Sequence, residues 1–329
     1  MIRTFISKSI LVAFGFTLLL ITNWFIFTMG AGLPGPMVSN SISLNYKTYF
    51  AEEKDLKHPD VIAIGSSMTL NNLHSEVVIN NLKTESYLNY SAWGIRPSQI
   101  LSLLKILMQK YTPSLVIIVT NIADYQRGGP VINESTFSDY LADKHSRLYN
   151  YLFAYTPRSF FLDSRRTHKL RKIKNSYESL AFDPFGGVSL KKKGFLINEK
   201  RWGGNSLKLM SPDSINYNSI KNIAELCKHH ESQLVLIQSP FREGFLLGQD
   251  SVDLKTFNQH IEMISKIAED FQIPFINATN SIWQDSLFVD ASHFSKLGAQ
   301  KFSEYIFREL HVSYPKLFQN GKSWVADSL

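Results

Sequence analysis

Residues 61–68 read VIAIGSSM, an apolar, β-branched run that ends in Gly65-Ser66-Ser67. An uninterrupted apolar run of this length is typical of a strand buried on both faces, and the glycine and serines indicate a turn at its C-terminal end. A helix is expected to follow, through about Asn80. The segment therefore predicts the first strand–turn–helix unit of an α/β fold.

Four more apolar runs repeat this strand-like pattern, at 86–91, 115–120, 234–239 and 274–278. Apolar residues at helical spacing occur between or after them, at 97–110, 216–230, 253–270 and 294–309. Strands that alternate with helices favour a parallel sheet, because each helical crossover returns the chain to the same end of the sheet. The sequence predicts a three-layer α/β/α domain around a five-stranded, parallel, flavodoxin-like sheet.

The third and fourth predicted strands are separated by about 110 residues, far more than an ordinary connection in a compact domain. We therefore predict an insertion at about 126–215, which contains an aromatic-rich segment at 149–162 and the glycine-bearing runs FDPFGGV and KRWGGN. Open α/β sheets bind ligands at the carboxyl ends of their strands. The insertion is expected to form a lid or substrate platform there, with Trp202 as a candidate ring to stack on a sugar.

The N-terminus carries an uncharged apolar segment, ILVAFGFTLLLITNWFIF, at 10–27. As a helix these residues span roughly 27 Å, close to the thickness of the hydrocarbon core of a bilayer. A signal peptide is the alternative, but its apolar region should be only about 7–15 residues long, and TMGAG is a poor cleavage site. We predict an uncleaved transmembrane anchor at 10–29.

The charges that flank this segment predict its orientation. Arg3 and Lys8 precede it, whereas the next basic residue is Lys47. The positive-inside rule therefore places residues 1–9 in the cytoplasm. The rest of the chain is expected on the other side of the cytoplasmic membrane, in the periplasm or at the cell surface, as a single-pass protein.

The remaining sequence has the composition of a folded domain. GAGLPGP cannot extend a helix and indicates a juxtamembrane linker at 30–44, so that the α/β domain occupies 45–329. The whole chain is 44% hydrophobic and 19% charged, which argues against disorder. Its one cysteine, Cys227, excludes a disulfide or a cysteine-based metal site within the chain and is expected in the core.

The net charge of +7 is concentrated in basic runs at 165–174 and 191–193, and no nucleic-acid-binding motif accompanies them. We interpret these runs as solvated faces, with contact to anionic lipid or an acidic polymer as the alternative, and expect no nucleic-acid partner. None of the nine histidines forms an H-E-x-x-H unit, and no G-x-G-x-x-G or phosphate loop follows the first strand. No metal or cofactor is therefore predicted.

Ser67 is a candidate nucleophile because of its place at the first strand–helix turn. A serine there has an exposed hydroxyl, and its own N–H lies at a helix N-terminus, where the dipole favours an oxyanion. Serine is also a preferred N-cap residue, and Ser66 suits that structural role better than Ser67 does.

Asp290 and His293 form a candidate acid–base pair in the segment DASHF. Three residues apart on a loop before a helix, the carboxylate can fix the imidazole tautomer while the imidazole takes a proton from a serine. A helix-capping or packed histidine is the alternative for the pair alone. Together with Ser67, the pair predicts a Ser-His-Asp acyl-transfer site.

Two further residues at strand ends are candidate oxyanion-hole donors beside the Ser67 amide. Gly94, in NYSAWG after the second strand, permits close backbone approach to a substrate oxygen. Asn121, after the third strand, carries an amide that can donate to the same oxygen. A turn glycine and a strand-end residue with a local hydrogen bond are the respective structural alternatives.

In this order, the blocks resemble the SGNH (GDSL-type) hydrolase superfamily over residues 61–309, apart from the insertion. The resemblance implies the SGNH fold, with Ser67 as nucleophile, Gly94 and Asn121 as oxyanion-hole donors, Asp290 as orienting acid and His293 as general base. Two departures stand out: Gly-Ser-Ser replaces the family's Gly-Asp-Ser, and VTNI replaces Gly-x-Asn-Asp, with Asp124 as a nearby acid.

The first departure resembles membrane-anchored branches that modify cell-surface polymers, such as the alginate O-acetylation and lipoteichoic-acid D-alanylation proteins. This implies an esterase or O-acyltransferase, with acetyl as the favoured acyl group. Its expected partners are an acylated glycan or acyl donor, the bilayer at 10–29 and other membrane proteins of a polysaccharide assembly. The alternative function is a catalytically inactive glycan-binding or scaffold component of such an assembly. Retention of Ser67, Asp290 and His293 favours the enzyme, whereas the altered blocks favour the scaffold.

Overall fold

Five short apolar segments form one sheet: β1 (Val61–Ala63), β2 (Tyr87–Asn89), β3 (Leu115–Thr120), β4 (Gln233–Gln238) and β5 (Phe275–Asn277). They are seen in a computed structural model that describes residues 2–31, 33–54, 58–142, 153–191, 199–204, 207 and 210–319. The strand order is β2-β1-β3-β4-β5, and each neighbouring pair is parallel. The predicted five-stranded parallel α/β sheet is confirmed.

The described helices are α1 (Ile2–Ala31), α2 (Ile42–Glu53), α3 (Ser67–Asn72), α4 (Ser75–Leu82), α5 (Pro97–Lys110), α6 (Glu134–Leu141), α7 (Pro157–Lys172), α8 (Glu199–Gly203), α9 (Ser214–His229), α10 (Glu243–Leu247), α11 (Ser251–Asp270), α12 (Lys296–Ser313) and α13 (Lys316–Gln319). A short 3-10 turn, Ile122–Tyr125, follows β3.

Side chains of the strands alternate between two apolar layers, as the pleat of a β-strand requires. On one face, Ile62, Val116 and Leu236 pack with residues of α2, α5, α6, α9 and α11. On the other face, Ile117 and Val235 pack with residues of α3, α4 and α12. Because both faces are buried, the strands are continuous apolar runs, which is why their pattern was readable in the sequence.

The helix predicted to run from the first turn to Asn80 is divided in two. Helix α3 ends at Asn72 and α4 begins at Ser75. Between them the His74 N–H donates to Ser303 Oγ of α12 at 2.8 Å. This contact between distant parts of the chain replaces a helical hydrogen bond, so local periodicity did not predict the break.

Helix α1 extends beyond the predicted anchor in both directions. Its segment Phe5–Thr22 has a mean hydropathy of 2.0 and projects its side chains away from the rest of the protein. By length and composition α1 is able to cross a membrane, although the same properties fit a signal sequence. Its topology and its cleavage stay predictions.

The predicted linker at 30–44 belongs largely to the folded domain. Residues 34–36 are buried, and Val38 and Leu44 are fully enclosed in the core. The Tyr155 hydroxyl donates to the Gly35 carbonyl at 2.7 Å. The prolines and glycines that argued against a helix here are compatible with a buried extended segment, so the domain extends N-terminally of residue 45.

The predicted insertion leaves the sheet after β3 and returns at β4. Gln126 and Pro212 form an antiparallel bridge, and Asp213 N–H donates to the Tyr125 carbonyl at 2.7 Å. The basic run 165–174 lies mostly on α7, where most of its basic side chains are exposed. Part of the aromatic segment 149–162 and most of the run 191–193 lie outside the described residues.

Candidate active site

Ser67 lies where the chain turns from β1 into α3. The residue before it, Ser66, is the N-cap, because its Oγ accepts a hydrogen bond from the Met68 N–H at 3.1 Å. Gly65 is required at this turn, since a Cβ there would lie 2.0 Å from Thr69 Oγ1. Ser66 therefore satisfies the helix end, and the Ser67 hydroxyl stays partly exposed and available for chemistry.

His293 joins Ser67 to Asp290 in one line of hydrogen bonds. Its Nε2 lies 2.9 Å from Ser67 Oγ, and its Nδ1 lies 2.8 Å from Asp290 Oδ2. In this arrangement Nδ1–H donates to the carboxylate, which leaves Nε2 as the proton acceptor facing the hydroxyl. The structure thus brings together the three predicted catalytic residues from opposite ends of the chain.

Asp290 is almost fully buried, with 6% of its surface exposed. Its second oxygen, Oδ1, accepts hydrogen bonds from the backbone N–H groups of Ser292 at 2.8 Å and His293 at 2.7 Å. Burial raises the pKa of Asp290, but the charge of His293 and these hydrogen bonds outweigh it and leave the pKa below its ordinary value. The carboxylate is therefore ionised at neutral pH.

The loop that carries His293 is fastened to the end of α3 by Asn72, which the sequence did not identify. Asn72 Nδ2 donates to the Ser292 carbonyl and to Ser239 Oγ, both at 3.0 Å. Its Oδ1 accepts from the Phe294 N–H at 2.9 Å. One buried amide therefore fixes the spacing between the serine helix and the histidine loop.

Asn121 makes a local hydrogen bond at the end of β3, which was its structural alternative, and it also lies beside the turn that carries Ser67. Its Oδ1 accepts from the Ala123 N–H at 2.9 Å and so caps the turn that follows β3. Its Nδ2 lies 3.1 Å from the sulfur of Met68, the residue after Ser67. Because a thioether is a weak acceptor, this amide retains donor capacity toward a substrate oxygen.

Asp124, the nearby acid noted in the sequence, holds this turn in place. Its Oδ2 accepts from the Asn121 N–H at 3.0 Å, and its Oδ1 lies 3.6 Å from the Arg96 guanidinium. Burial raises the pKa of Asp124, while Arg96 and a hydrogen bond from Ser66 oppose that rise. The carboxyl thus connects the turn after β1 to the turn after β3.

Gly94 is an exposed residue of the otherwise largely buried loop after β2, and its φ of +69° is a conformation that L side chains rarely adopt. The same loop is bonded to the serine turn, because the Ala92 N–H donates to the Gly65 carbonyl at 3.1 Å. The strand ends that carry Gly94, Ser67 and Asn121 thus meet at one edge of the sheet. Roles for Gly94 and Asn121 as oxyanion-hole donors stay predictions.

Two residues of the insertion, Tyr177 and Arg201, lie beside the triad, and sequence reasoning assigned neither of them a role there. The Tyr177 ring packs edge-on against the His293 imidazole, with centroids 5.5 Å apart. Burial, together with the nearby charge of Asp290, raises the pKa of Tyr177. The Arg201 guanidinium lies over the Tyr177 ring, 4.2 Å from its centroid. Long-range packing alone brings both residues to the site.

A cavity of about 450 Å³ adjoins the triad. It is lined by residues of the β3 turn, the insertion, the segment after β4 and the histidine loop: Asn121, Ala123, Arg201, Gly204, Met210, Phe241, Phe245 and Asp290, Ala291, Ser292. Trp202, the predicted sugar-stacking ring, is not among these residues. The guanidinium of Arg242 lies 4.3 Å from its ring centroid, so Trp202 helps to pack α8 against the domain.

Within the described residues, no three or more His, Cys, Asp or Glu side chains are grouped so as to hold a metal ion. Cys227 is buried in the core, where burial raises its thiol pKa to about 12.

No protein-family model matches the chain, and no curated protein matches it. Solved structures similar to it include a mutant acetyl-xylooligosaccharide esterase from Geobacillus, with 12% identity, coverage of 81% of this chain and 95% of that one, and a TM-score of 0.41. A GDSL-like lipase from Bacteroides thetaiotaomicron has 14% identity, coverages of 82% and 98%, and a TM-score of 0.37. A lipase/acylhydrolase from Enterococcus faecalis has 12% identity, coverages of 77% and 96%, and a TM-score of 0.35.

These neighbours are an esterase, a GDSL-like lipase and a lipase/acylhydrolase. Because the identities and TM-scores are low, these similarities do not assign a family or an activity to this chain.

Proposed function

We propose that this chain is a membrane-anchored, extracytoplasmic serine esterase or O-acyltransferase that acts on a cell-surface or exported polysaccharide, with acetyl as the favoured acyl group. The observation that carries the proposal is the hydrogen-bonded line from Ser67 through His293 to Asp290, at 2.9 and 2.8 Å. A buried acid, an oriented imidazole and a partly exposed serine are the components that acyl transfer through a serine requires.

In the proposed reaction, His293 Nε2 takes the proton of Ser67 as Oγ attacks the ester carbonyl. Asp290 stays ionised and stabilises the imidazolium. The tetrahedral intermediate collapses when the C–O bond of the ester breaks and His293 returns the proton to the departing alcohol. Water or a sugar hydroxyl then attacks the acyl-Ser67 carbonyl and gives its proton to His293. The bond between the acyl carbon and Ser67 Oγ breaks, and His293 returns the proton to Oγ, which releases the free acid or the acylated sugar and restores the serine.

Negative charge on the tetrahedral oxygen is stabilised by hydrogen-bond donors at the strand ends. The proposed donors are the N–H of Ser67, the N–H of Gly94 and Nδ2 of Asn121. The position of Asn121 Nδ2 beside Met68 supports this assignment. Each such donor typically contributes about 2.7–4 kcal/mol of transition-state stabilisation.

Labelling with a fluorophosphonate tests whether Ser67 is an activated nucleophile. We expect the full chain in detergent to be labelled, and Ser67→Ala or His293→Ala to lose the label, because both the nucleophile and its base are needed. Ser66→Ala is the matched control: it removes the adjacent hydroxyl and costs about 0.5–2 kcal/mol of cap energy, but it leaves the nucleophile in place.

Absence of labelling in a folded wild-type chain would instead favour an inactive glycan-binding or scaffold component. Labelling that persists in Ser67→Ala would place the reactive serine elsewhere.

Mass spectrometry of surface glycans tests the biological reaction. Cells that carry Ser67→Ala are expected to lack an acyl substituent if the enzyme transfers groups, or to accumulate one if it removes them. Identical glycans in both strains would contradict a role in polysaccharide acylation.

A further inference from the structure

Helix α7 is attached to the end of α1 that lies nearest the domain. The ring of Phe160, in the first turn of α7, stacks on the ring of Trp24 with centroids 4.2 Å apart. Trp24 follows the apolar segment Phe5–Thr22 by two residues and lies five residues before the end of the predicted anchor at 10–29. With α1 across a bilayer, the first turn of α7 is therefore within about 8 Å of the membrane surface.

The two faces of α7 have different surroundings. On the inner face, Phe160 shares a small apolar cluster with Tyr155, and Leu170 shares another with Tyr46 of α2. The outer face is formed by side chains three or four residues apart, which lie above one another on a helix. All of these are exposed: Arg158, Leu162, Arg165, Lys169 and Lys172.

The outer face combines cations with an exposed apolar side chain. Leu162 has 52% of its surface exposed, and it lies about one turn from both Arg158 and Arg165. The one acid of α7, Asp163, is half-buried and interacts with Arg166. Long basic side chains around an apolar residue suit a membrane surface, because their stems pack among lipid while their charges reach the phosphates.

We propose that α7 is a second membrane contact, in which Leu162 enters the headgroup region of the bilayer and Arg158, Arg165 and Lys169 bind the phosphates of anionic phospholipid. This inference rests on the membrane anchoring by α1 that is part of the proposed function. The stack of Trp24 on Phe160 brings α7 to the required depth, and the positive charge of the outer face favours an anionic lipid over a zwitterionic one.

The contact sets the position of the catalytic site relative to the bilayer. Tyr177, whose ring packs edge-on against His293, follows the last residue of α7 by five positions, a reach of at most roughly 18 Å. A domain attached through α1 alone is able to turn about that single connection. A second contact through α7 holds the triad at one height and in one orientation above the lipid surface.

Quenching of a fluorescent label by lipid tests this contact. The full chain with Leu162→Cys would be labelled with bimane and reconstituted in vesicles of equal parts phosphatidylglycerol and phosphatidylcholine, with or without bromine on the acyl chains. Native Cys227 is 1% exposed, so the label is directed to position 162. We expect brominated lipid to reduce the emission at least about twofold. Val252→Cys, 56% exposed on α11, is the matched control and should keep its emission.

Removal of the basic side chains shows whether charge is responsible. In Arg158→Gln/Arg165→Gln/Lys169→Gln, we expect the quenching at position 162 to fall to the weaker level of vesicles made of phosphatidylcholine alone, because the attraction to the anionic surface is lost. The matched control removes three charges from exposed positions on α9 and α11 and should leave the quenching unchanged: Lys228→Gln, Lys255→Gln and Lys266→Gln.

Equal emission with and without bromine at position 162, in a chain that floats with the vesicles, would overturn the contact. The acyl-transfer function would still stand if fluorophosphonate labels Ser67 in the same sample. Quenching that is equally strong in phosphatidylcholine alone and in the triple variant would overturn the binding of anionic lipid. A chain that does not float with the vesicles would overturn the anchor and the surface contact together.

Discussion

Two adjacent serines at the first turn have different surroundings and therefore different chemistry. Ser66 is buried, and its hydroxyl accepts from Met68 as the helix cap. Ser67 is partly exposed, and its hydroxyl meets the imidazole of His293. The capping role of Ser66 leaves the Ser67 oxygen uncommitted to the backbone. This division was predictable because an N-cap precedes the first helical residue.

Asn121 offers a sharp test at the scale of one residue. Asn121→Ser keeps a side-chain oxygen to cap the Ala123 N–H but removes the Nδ2 donor. We expect kcat for acyl transfer to fall about 10²- to 10³-fold with little change in KM, because an oxyanion donor acts mainly in the transition state.

Steady-state kinetics on an acetyl ester and a thermal unfolding curve would be measured together. An unchanged melting temperature with reduced kcat supports the donor role. An unchanged kcat would mean that the oxyanion is held by backbone N–H groups alone.

Sequence reasoning located Ser67, Asp290 and His293 because each lies just after a readable strand or just before a readable helix. It did not locate Asn72, Tyr177 or Arg201, whose roles depend on contacts between segments far apart in the chain. The predicted ends of the strands and helices gave the approximate positions of Ser67, Asp290 and His293. Members of the latter group have no local pattern that distinguishes them from ordinary helix or loop residues.

At the scale of elements, a buried lysine on α2 contacts the insertion. Lys47 is fully buried, its Nζ donates to the Gly186 carbonyl, and it lies 3.6 Å from the centroid of the Phe182 ring. Burial lowers the pKa of Lys47 to about 7, while the charge of Asp183 acts in the opposite direction. Helix α2 is thereby joined to the loop at 182–188 that lies beside β2.

Lys47 makes stability depend on pH in a defined direction. Its pKa is about 7 in the folded chain and ordinarily 10.5, so between these values the unfolded chain binds the additional proton. The free energy of unfolding should therefore rise with pH across this window, by at most about 1.4 kcal/mol per unit from this group. Lys47→Met is expected to remove that slope.

Chemical denaturation of wild type and Lys47→Met between pH 7 and 10 would measure the difference. Parallel curves for the two proteins would show that Lys47 is not deprotonated on folding. Glu52→Gln on the same helix is a control for a general loss of charge, because Glu52 pairs with Lys110 at 3.3 Å near the surface.

The strands and their flanking helices were predicted from periodicity, whereas the break between α3 and α4 and the folded segment before α2 were not. Periodicity reports which face of an element is buried, and it therefore works where burial is regular. Val38 is fully buried without belonging to a helix or strand with a repeating pattern. Irregular packing of this kind leaves no period to detect.

At the scale of the whole molecule, α1 is the predicted membrane anchor of the domain. We expect the mature chain to retain its N-terminus and to stay in the membrane fraction after alkaline carbonate extraction. The paired substitution Leu11→Arg and Leu18→Arg should abolish this retention, because each arginine costs about 2.5–3.5 kcal/mol near the centre of a span. Both positions lie within the apolar segment Phe5–Thr22.

Mass spectrometry of the N-terminal peptide completes that experiment. A mature chain that begins beyond α1 would identify the helix as a cleaved signal sequence. Arg158→Gln and Arg165→Gln, two substitutions on the exposed surface of α7, serve as a control for handling of a doubly altered chain.

The bridge between Gln126 and Pro212 has an evolutionary consequence. Because the chain leaves and re-enters the core at adjacent points, the segment between them adds almost nothing to the separation that β3 and β4 must close. Insertions and deletions away from its contacts with α2, α3 and the triad are then expected to cost the connection between β3 and β4 little loop-closure entropy. A lineage built on this frame can therefore vary the length of the segment while the serine, histidine and aspartate keep their positions.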